Sequence, residues 1–213
     1  ISLSNGAVTT SYQDLFNYLL SLFISTNEID PIKEKVISNI RFPRIILSIL
    51  VGAALAVSGA SLQGIFKNPM ADPGIIGVSS GAAVGAVLIL SLGLASYSIL
   101  MLPIFSFFGG MFAAFLVFLI SRLASSSSSS SFILSGLAIS AFLNSLISLI
   151  LVSSKKFGEL TSILNWLAGG FQDSRWEHVY ITLPVILIAL PFLIIYSNKI
   201  NILSPVSYTH LRA

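Results

Sequence analysis

Residues 41–85 read RFPRIILSILVGAALAVSGASLQGIFKNPMADPGIIGVSSGAAVG. From Ile45 to Phe66 there are 22 residues without a charge, enough to cross the roughly 30 Å hydrocarbon core of a bilayer as a helix with some tilt. A second apolar run extends from about Ile75 to about Ala95, and Asn68, Pro69, Asp72, Pro73 and Gly74 turn the chain between the two. Gly52, Ala56, Ala60 and Gly64 recur every four residues in the first run, and Gly77, Gly81 and Gly85 keep the same spacing in the second. A helix with such a stripe lacks bulk on one face and lets another backbone come close. The stretch therefore predicts two membrane helices built for tight contact.

The whole chain agrees with that reading. Of 213 residues 55% are hydrophobic and 9% charged, and the mean hydropathy is +0.94; soluble domains carry about a quarter charged residues. A net charge of +3 leaves no basic footprint for nucleic acid. The absence of cysteine removes disulfides, thiolate metal sites and cysteine nucleophiles together. The chain opens at Ile1 on a polar run without a basic, signal-like start, so it is expected to be a fragment whose true beginning is missing.

Outward from the opening stretch, Tyr12–Ile24 spaces its apolar residues as an interfacial helix would, and the charges around Pro31, from Asn27 to Lys35, predict a solvated turn. Pro103–Ser121 is a third span, with six phenylalanines and small residues at Gly109/Ala113 and Gly110/Ala114. Seven serines, Ser125–Ser131, predict a loop. Phe132–Val152 is a fourth span with Gly136, Ser140, Asn144 and Ser148 on one line, a polar stripe that is a candidate pathway lining or an interhelical hydrogen-bonding seam. Ser153–His178 reads as a long connection holding a short apolar piece, Ile163–Leu167. A fifth span, Val179–Tyr196, is interrupted by Pro184 and Pro191. Residues 205–213 resemble translated adapter sequence and are set aside.

Chemistry-bearing motifs are scarce. No phosphate-binding glycine-lysine loop, zinc-binding helix pair or paired intramembrane carboxylate is present, so the chain offers no catalytic residue, no metal ligand set and no cofactor site. His178 beside Glu177 reads as structural. Asp72, the only acid between Glu34 and Glu159, reads as an N-cap acceptor for the second span. Pro43 is expected to open the first helix while Arg41 and Arg44 anchor at head groups or meet a partner protein. Gln63 and Asn68 read as caps for freed backbone groups. A secondary transporter or channel would need an ionisable residue within a span, and none occurs; a structural membrane protein is the other alternative the glycine stripes permit.

The opening stretch, together with FILSGLAIS (132–140), NWLAGGF (165–171, including Trp166, Gly169 and Gly170) followed by Trp176, and NILS (201–204), resembles the FecCD family of permease subunits of bacterial ABC importers for iron-siderophore complexes, haem and vitamin B12. The motif positions are Arg41, Pro43, Arg44, Gly52, Gly59, Gln63, Asn68, Pro69, Ala71, Asp72, Pro73, Gly74, Gly77, Gly81 and Gly85. The resemblance covers residues 1–204 as one partial permease domain. It implies an all-α, multi-pass protein of about ten spans, five of them here, with the first span and the C-terminal half missing. It further implies a bacterial cytoplasmic-membrane subunit that pairs with a second permease copy, two cytoplasmic ATPase subunits that bind the ATP and magnesium, and an external solute-binding protein. The implied cargo is a ferric siderophore, with cobalamin or haem as alternatives. By the same resemblance Arg41, Arg44 and the 153–178 connection lie outside and the 67–74 turn inside. The count of basic residues by itself favours the reverse.

Overall fold

The computed structural model describes residues 16–18, 20, 30–66, 68–69, 71–123, 129–154 and 156–203. Among them the regular structure is helical throughout. Most of the expected interfacial helix at 12–24, the start of the serine run and the 205–213 tail lie outside these residues.

Helix α1 (Pro31–Val36) passes through a π turn (Ile37–Arg41) into α2 (Phe42–Phe66), so that Pro31–Phe66 is one continuous 36-residue helix. The charged segment around Pro31 is thus helical from its proline onward rather than a turn. Asp30 accepts a hydrogen bond from the Ile32 N–H at 2.9 Å, and Pro31 occupies the first helical position, where its missing N–H costs nothing. Charge on a short amphipathic start had masked an Asp-Pro helix opening. Pro43 consequently sits inside a helix and does not open one.

Helix α3 (Val78–Ser91) has 14 residues, about 21 Å of rise and too short for a full crossing. It is shorter than the apolar run that encodes it because glycines bracket it. Gly77 (φ 84°) precedes its first turn, and Gly93 (φ 68°), also left-handed, stops it before a 3₁₀ turn at Leu94–Ser96. Helices α4 (Met101–Leu123) and α5 (Ser129–Ser153) follow, with Ser129–Ser131 forming the beginning of α5 instead of loop. Between the fourth and fifth spans the expected connection contains a further helix, α6 (Phe157–Ala168), closed by Gly169 at φ 71°. Helix α7 (Trp176–Leu203) runs unbroken through Pro184 and Pro191, as membrane helices permit when neighbouring groups re-satisfy the freed carbonyls. Its first turn is closed by His178, whose Nδ1 accepts the Arg175 N–H at 3.2 Å, the third helical residue reaching back as in a capping box. Among the described residues four helices, Pro31–Phe66, α4, α5 and α7, are long and apolar enough to cross a membrane, and α3 is a shorter apolar fifth.

The chain divides into two compact units. One comprises residues 1–56 and 170–195, the other residues 57–169 and 196–213. In the second, α3 is the central element: it packs most extensively on α4, then on α5 and α6. Val84, Val87, Ala113, Leu143, Ile147 and Ile163 form the core. The α3–α4 seam is set by glycine. A Cβ on Gly81 would fall on the Gly109 carbonyl and 2.5 Å from the Ala113 Cβ; one on Gly85 would fall on the Phe105 carbonyl; one on Gly109 would fall on the Gly81 carbonyl. The helices therefore meet backbone to backbone, an approach that only small residues allow.

Overpacking a filled contact costs about 1–3 kcal/mol or more, and here the obstructing atoms are backbone. Gly81→Leu is expected to abolish monodisperse folded protein on size-exclusion chromatography, while Leu88→Ile, at a position 41% exposed, keeps wild-type yield. Equal yields from both would contradict the seam.

Candidate functional site

The connection from α2 to α3 is the most sequence-specific part of the chain and is built as a run of nested turns. The Asn68 N–H donates to the Gln63 carbonyl at 3.3 Å, and the Ala71 N–H donates to the Asn68 carbonyl at 3.0 Å. Gln63 and Asn68 therefore close the end of α2 through their main chains, and the Gln63 side chain is exposed. Pro69 lies in the turn and Ala71 is buried. Asp72 Oδ1 accepts the Gly74 N–H at 2.6 Å, and two further turns follow as Ile75 N–H donates to the Asp72 carbonyl and Gly77 N–H to the Gly74 carbonyl, both at 3.1 Å. Asp72 is thus the acceptor of an Asx turn across Pro73 and not a cap on α3, whose N-cap is Gly77.

Helix α5 presses against this connection. A Cβ on Gly136 would strike the Ile75 carbonyl and come 3.1 Å from the Ile76 Cα, and one on Gly77 would lie 3.4 Å from Ser140 Oγ. Of the stripe predicted on α5, Gly136 and Ser140 face the turn, whereas Asn144 and Ser148 are exposed and the Ser148 hydroxyl bonds back to the Asn144 carbonyl at 3.0 Å. Several other helical hydroxyls do the same. Ser48, Ser61, Ser121 and Ser145 each donate to a carbonyl one turn earlier, which satisfies the hydroxyl without any interhelical partner. Ser140 and Ser106 differ: each has a buried, unpartnered Oγ, Ser140 opposite Gly77 and Ser106 opposite Gly85.

Both arginines of the opening motif make contacts within the protein. Arg41 is 8% exposed. Arg44 donates from Nε to the Phe171 carbonyl at 2.8 Å and from Nη2 to the Gln172 carbonyl at 3.0 Å. The link joins residues 127 and 128 positions apart, and no local signal in the sequence reveals it. Trp166 is partly exposed, its carbonyl accepting the Gly169 N–H at 3.1 Å, and Gly169 and Gly170 take left-handed φ values of 71° and 133°. That conformation explains the paired glycines after α6. At Gly52 and Gly59 a Cβ would meet nothing within 4 Å among the described residues, unlike at Gly81 and Gly85 on α3. Among the described residues no three histidine, cysteine or acidic side chains converge as a metal site.

The FecCD transport family model matches residues 1–206. The chain belongs to that family. Relatives in it include the cobalamin import system permease protein BtuC of Halobacterium salinarum, 40% identical over 79% of this chain and 44% of that protein. The molybdate import system permease protein MolB of Haemophilus influenzae is 39% identical over 83% of this chain and 52% of that protein. The Fe(3+)-citrate import system permease protein YfmE of Bacillus subtilis is 35% identical over 96% of this chain and 58% of that protein. A solved structure described as an inward-facing conformation of a metal-chelate type ABC transporter superposes with a TM-score of 0.78 at 34% identity, covering 95% of this chain and 59% of that one. The chain spans about half the length of the curated relatives it matches. As a FecCD member with several apolar helices of spanning length, it is a multi-pass membrane protein.

The Gly77 position yields a direct test. Forcing a side chain into left-handed φ costs about 1–2 kcal/mol, and here the added methyl also meets α5. Gly77→Ala is expected to lower stability by roughly that amount in denaturant unfolding in mild detergent, with Ser140→Ala neutral or mildly stabilising because it removes a buried unpartnered hydroxyl. A destabilisation by Ser140→Ala equal to that of Gly77→Ala would show that the hydroxyl, and not the space, matters.

Proposed function

We propose that the chain is part of the permease subunit of an ABC importer, carrying a metal chelate across the bacterial cytoplasmic membrane. The observation that carries the reading is the family match over residues 1–206, joined to a fold overlap that takes in 95% of the chain. The chemistry of the described helices fits a passive pathway wall. No charge falls between Asp72 and Arg122, and several hydroxyls of the spans are returned to their own helices. Such a wall supplies neither a proton relay nor an ion-coupling acid, so the energy for transport has to enter from elsewhere.

On this reading the chain is a non-catalytic subunit without a cofactor of its own. Two cytoplasmic ATPase subunits bind the ATP and magnesium, a second permease copy completes the pathway, and an external binding protein delivers the cargo. The cargo we propose is a ferric siderophore, with cobalamin or haem as the nearest alternatives. The relatives' names include cobalamin, molybdate and Fe(3+)-citrate, so identity at this level supports the class of a small chelate or oxyanion more strongly than any one member. We place the α2–α3 connection on the cytoplasmic side and the 169–175 connection outside.

The full-length protein, expressed with its genomic neighbours and reconstituted in vesicles, is expected to copurify with an ATPase and to accumulate an iron-55 siderophore complex only with ATP inside the cytoplasmic face. Replacing the phosphate-loop lysine of that ATPase should reduce uptake to background. Uptake that persists without ATP, or that follows an imposed ion gradient, would assign the chain to a secondary transporter instead.

A further inference from the structure

In the π turn before α2 the hydrogen-bond ladder is shifted by one residue, and the Phe42 N–H bonds the Ile37 carbonyl. The Ser38 carbonyl loses both of its helical partners in consequence. In an α register it would accept from Phe42, whose N–H is already committed to Ile37; in a π register it would accept from residue 43, which is Pro43 and has no N–H. A carbonyl stranded in this way, in an environment poor in water, is costly unless another donor reaches it. Trp176 does so from the start of α7: its indole Nε1–H donates to the Ser38 O at 2.9 Å across 138 residues of sequence. Its ring stacks on Tyr180 with centroids 6.0 Å apart, which fixes the direction in which the N–H points.

A second tie runs the opposite way a few residues further on. The Arg44 guanidinium, on the helix just past Pro43, spans the successive carbonyls of Phe171 and Gln172. The Phe171 carbonyl also accepts the N–H of Ser174, which is 8% exposed. Two parallel donors on one planar edge match two adjacent carbonyls. An ammonium, as a single point of donors, cannot hold both in that geometry.

We propose that Trp176 supplies from α7 the hydrogen-bond donor that Pro43 removes from the helix, and that Trp176 and the Arg44 fork are positioning residues which clasp segment 171–176 to the π turn as one body. The sequence R-F-P-R and the distant F-Q-D-S-R-W are then two halves of a single device. The proline creates the vacancy, the tryptophan fills it, and the arginine, one residue after the proline, locks the approach to the tryptophan.

Hydrogen-exchange mass spectrometry on the full-length protein in nanodiscs tests this in two independent arms. In the first, Trp176→Phe keeps the ring and loses the N–H. It is expected to speed exchange across residues 37–45 by about tenfold, and to have no such effect in a Pro43→Ala background, where a main-chain N–H returns to position 43. The same acceleration in both backgrounds would overturn the assignment of Trp176 to the proline's vacancy. In the second, Arg44→Lys and Arg44→Gln are both expected to expose the Ser174 amide by about tenfold, since both lose the fork. Wild-type protection in Arg44→Lys with loss in Arg44→Gln would mean that charge alone is at work and would overturn the clasp. A peptide from α4 reports in each sample that the rest of the fold is intact.

Discussion

The contact on which the second compact unit depends is the meeting of α3 and α4 main chain against main chain at Gly81, Gly85 and Gly109. Between apolar helices in an apolar solvent there is no hydrophobic gain from association, so close packing has to supply the attraction, and close packing requires that nothing stand between the backbones. Once α3 is seated there, it also packs on α5 and α6, and the core of Val84, Val87, Ala113, Leu143, Ile147 and Ile163 closes. The short length of α3 follows from the same logic. A buried helix needs only to be as long as its contacts, and left-handed glycines at 77 and 93 end it there.

The second constraint is the cost of an unpaired polar group where water is scarce. The serine-rich helices meet it locally by turning hydroxyls back onto their own carbonyls. The α2–α3 connection meets it by nesting one turn inside the next, with the Asp72 carboxylate occupying the Gly74 N–H. In the first unit Pro43 breaks the ladder, and the repair comes from far along the chain through Trp176. These three solutions share one rule, that a polar group in such surroundings is met by a donor or acceptor within the protein.

Much of this was legible in the sequence, for identifiable reasons. Uncharged runs of membrane length and glycines at every fourth position gave the spans, and the filled glycines 81, 85, 109 and 136 behave as that spacing predicts. The long motif around Asn68–Gly74 carries the resemblance to the FecCD family in its residues alone. What was not legible depended on distance or on competing signals. The charges of residues 33–35 hid the Asp30-Pro31 helix start. Pro43 reads as a helix start, and Pro184 and Pro191 as interruptions of a span, because a proline's lost hydrogen bond is visible in sequence while the continuity of the helix through it is not. The Gly169-Gly170 pair closed an unrecognised helix, α6, whose length was obscured by its charged beginning. The contact of Arg44 with the carbonyls of Phe171 and Gln172 is not legible because those carbonyls carry no sequence mark at all.

The most direct measurement of the central contact is the melting temperature of the full-length protein in mild detergent with a single methyl added at the seam. Gly109→Ala places that methyl on the Gly81 carbonyl and 3.3 Å from the Gly85 Cα, and is predicted to lower the melting temperature by several degrees, the scale of an overpacked core. Gly158→Ala, where the methyl meets nothing within 4 Å at an exposed position of α6, is predicted to leave it unchanged or slightly raised. A Gly109→Ala protein that melts with the wild type would show that the helices do not meet through their backbones, and the account of the fold built on that contact would fail.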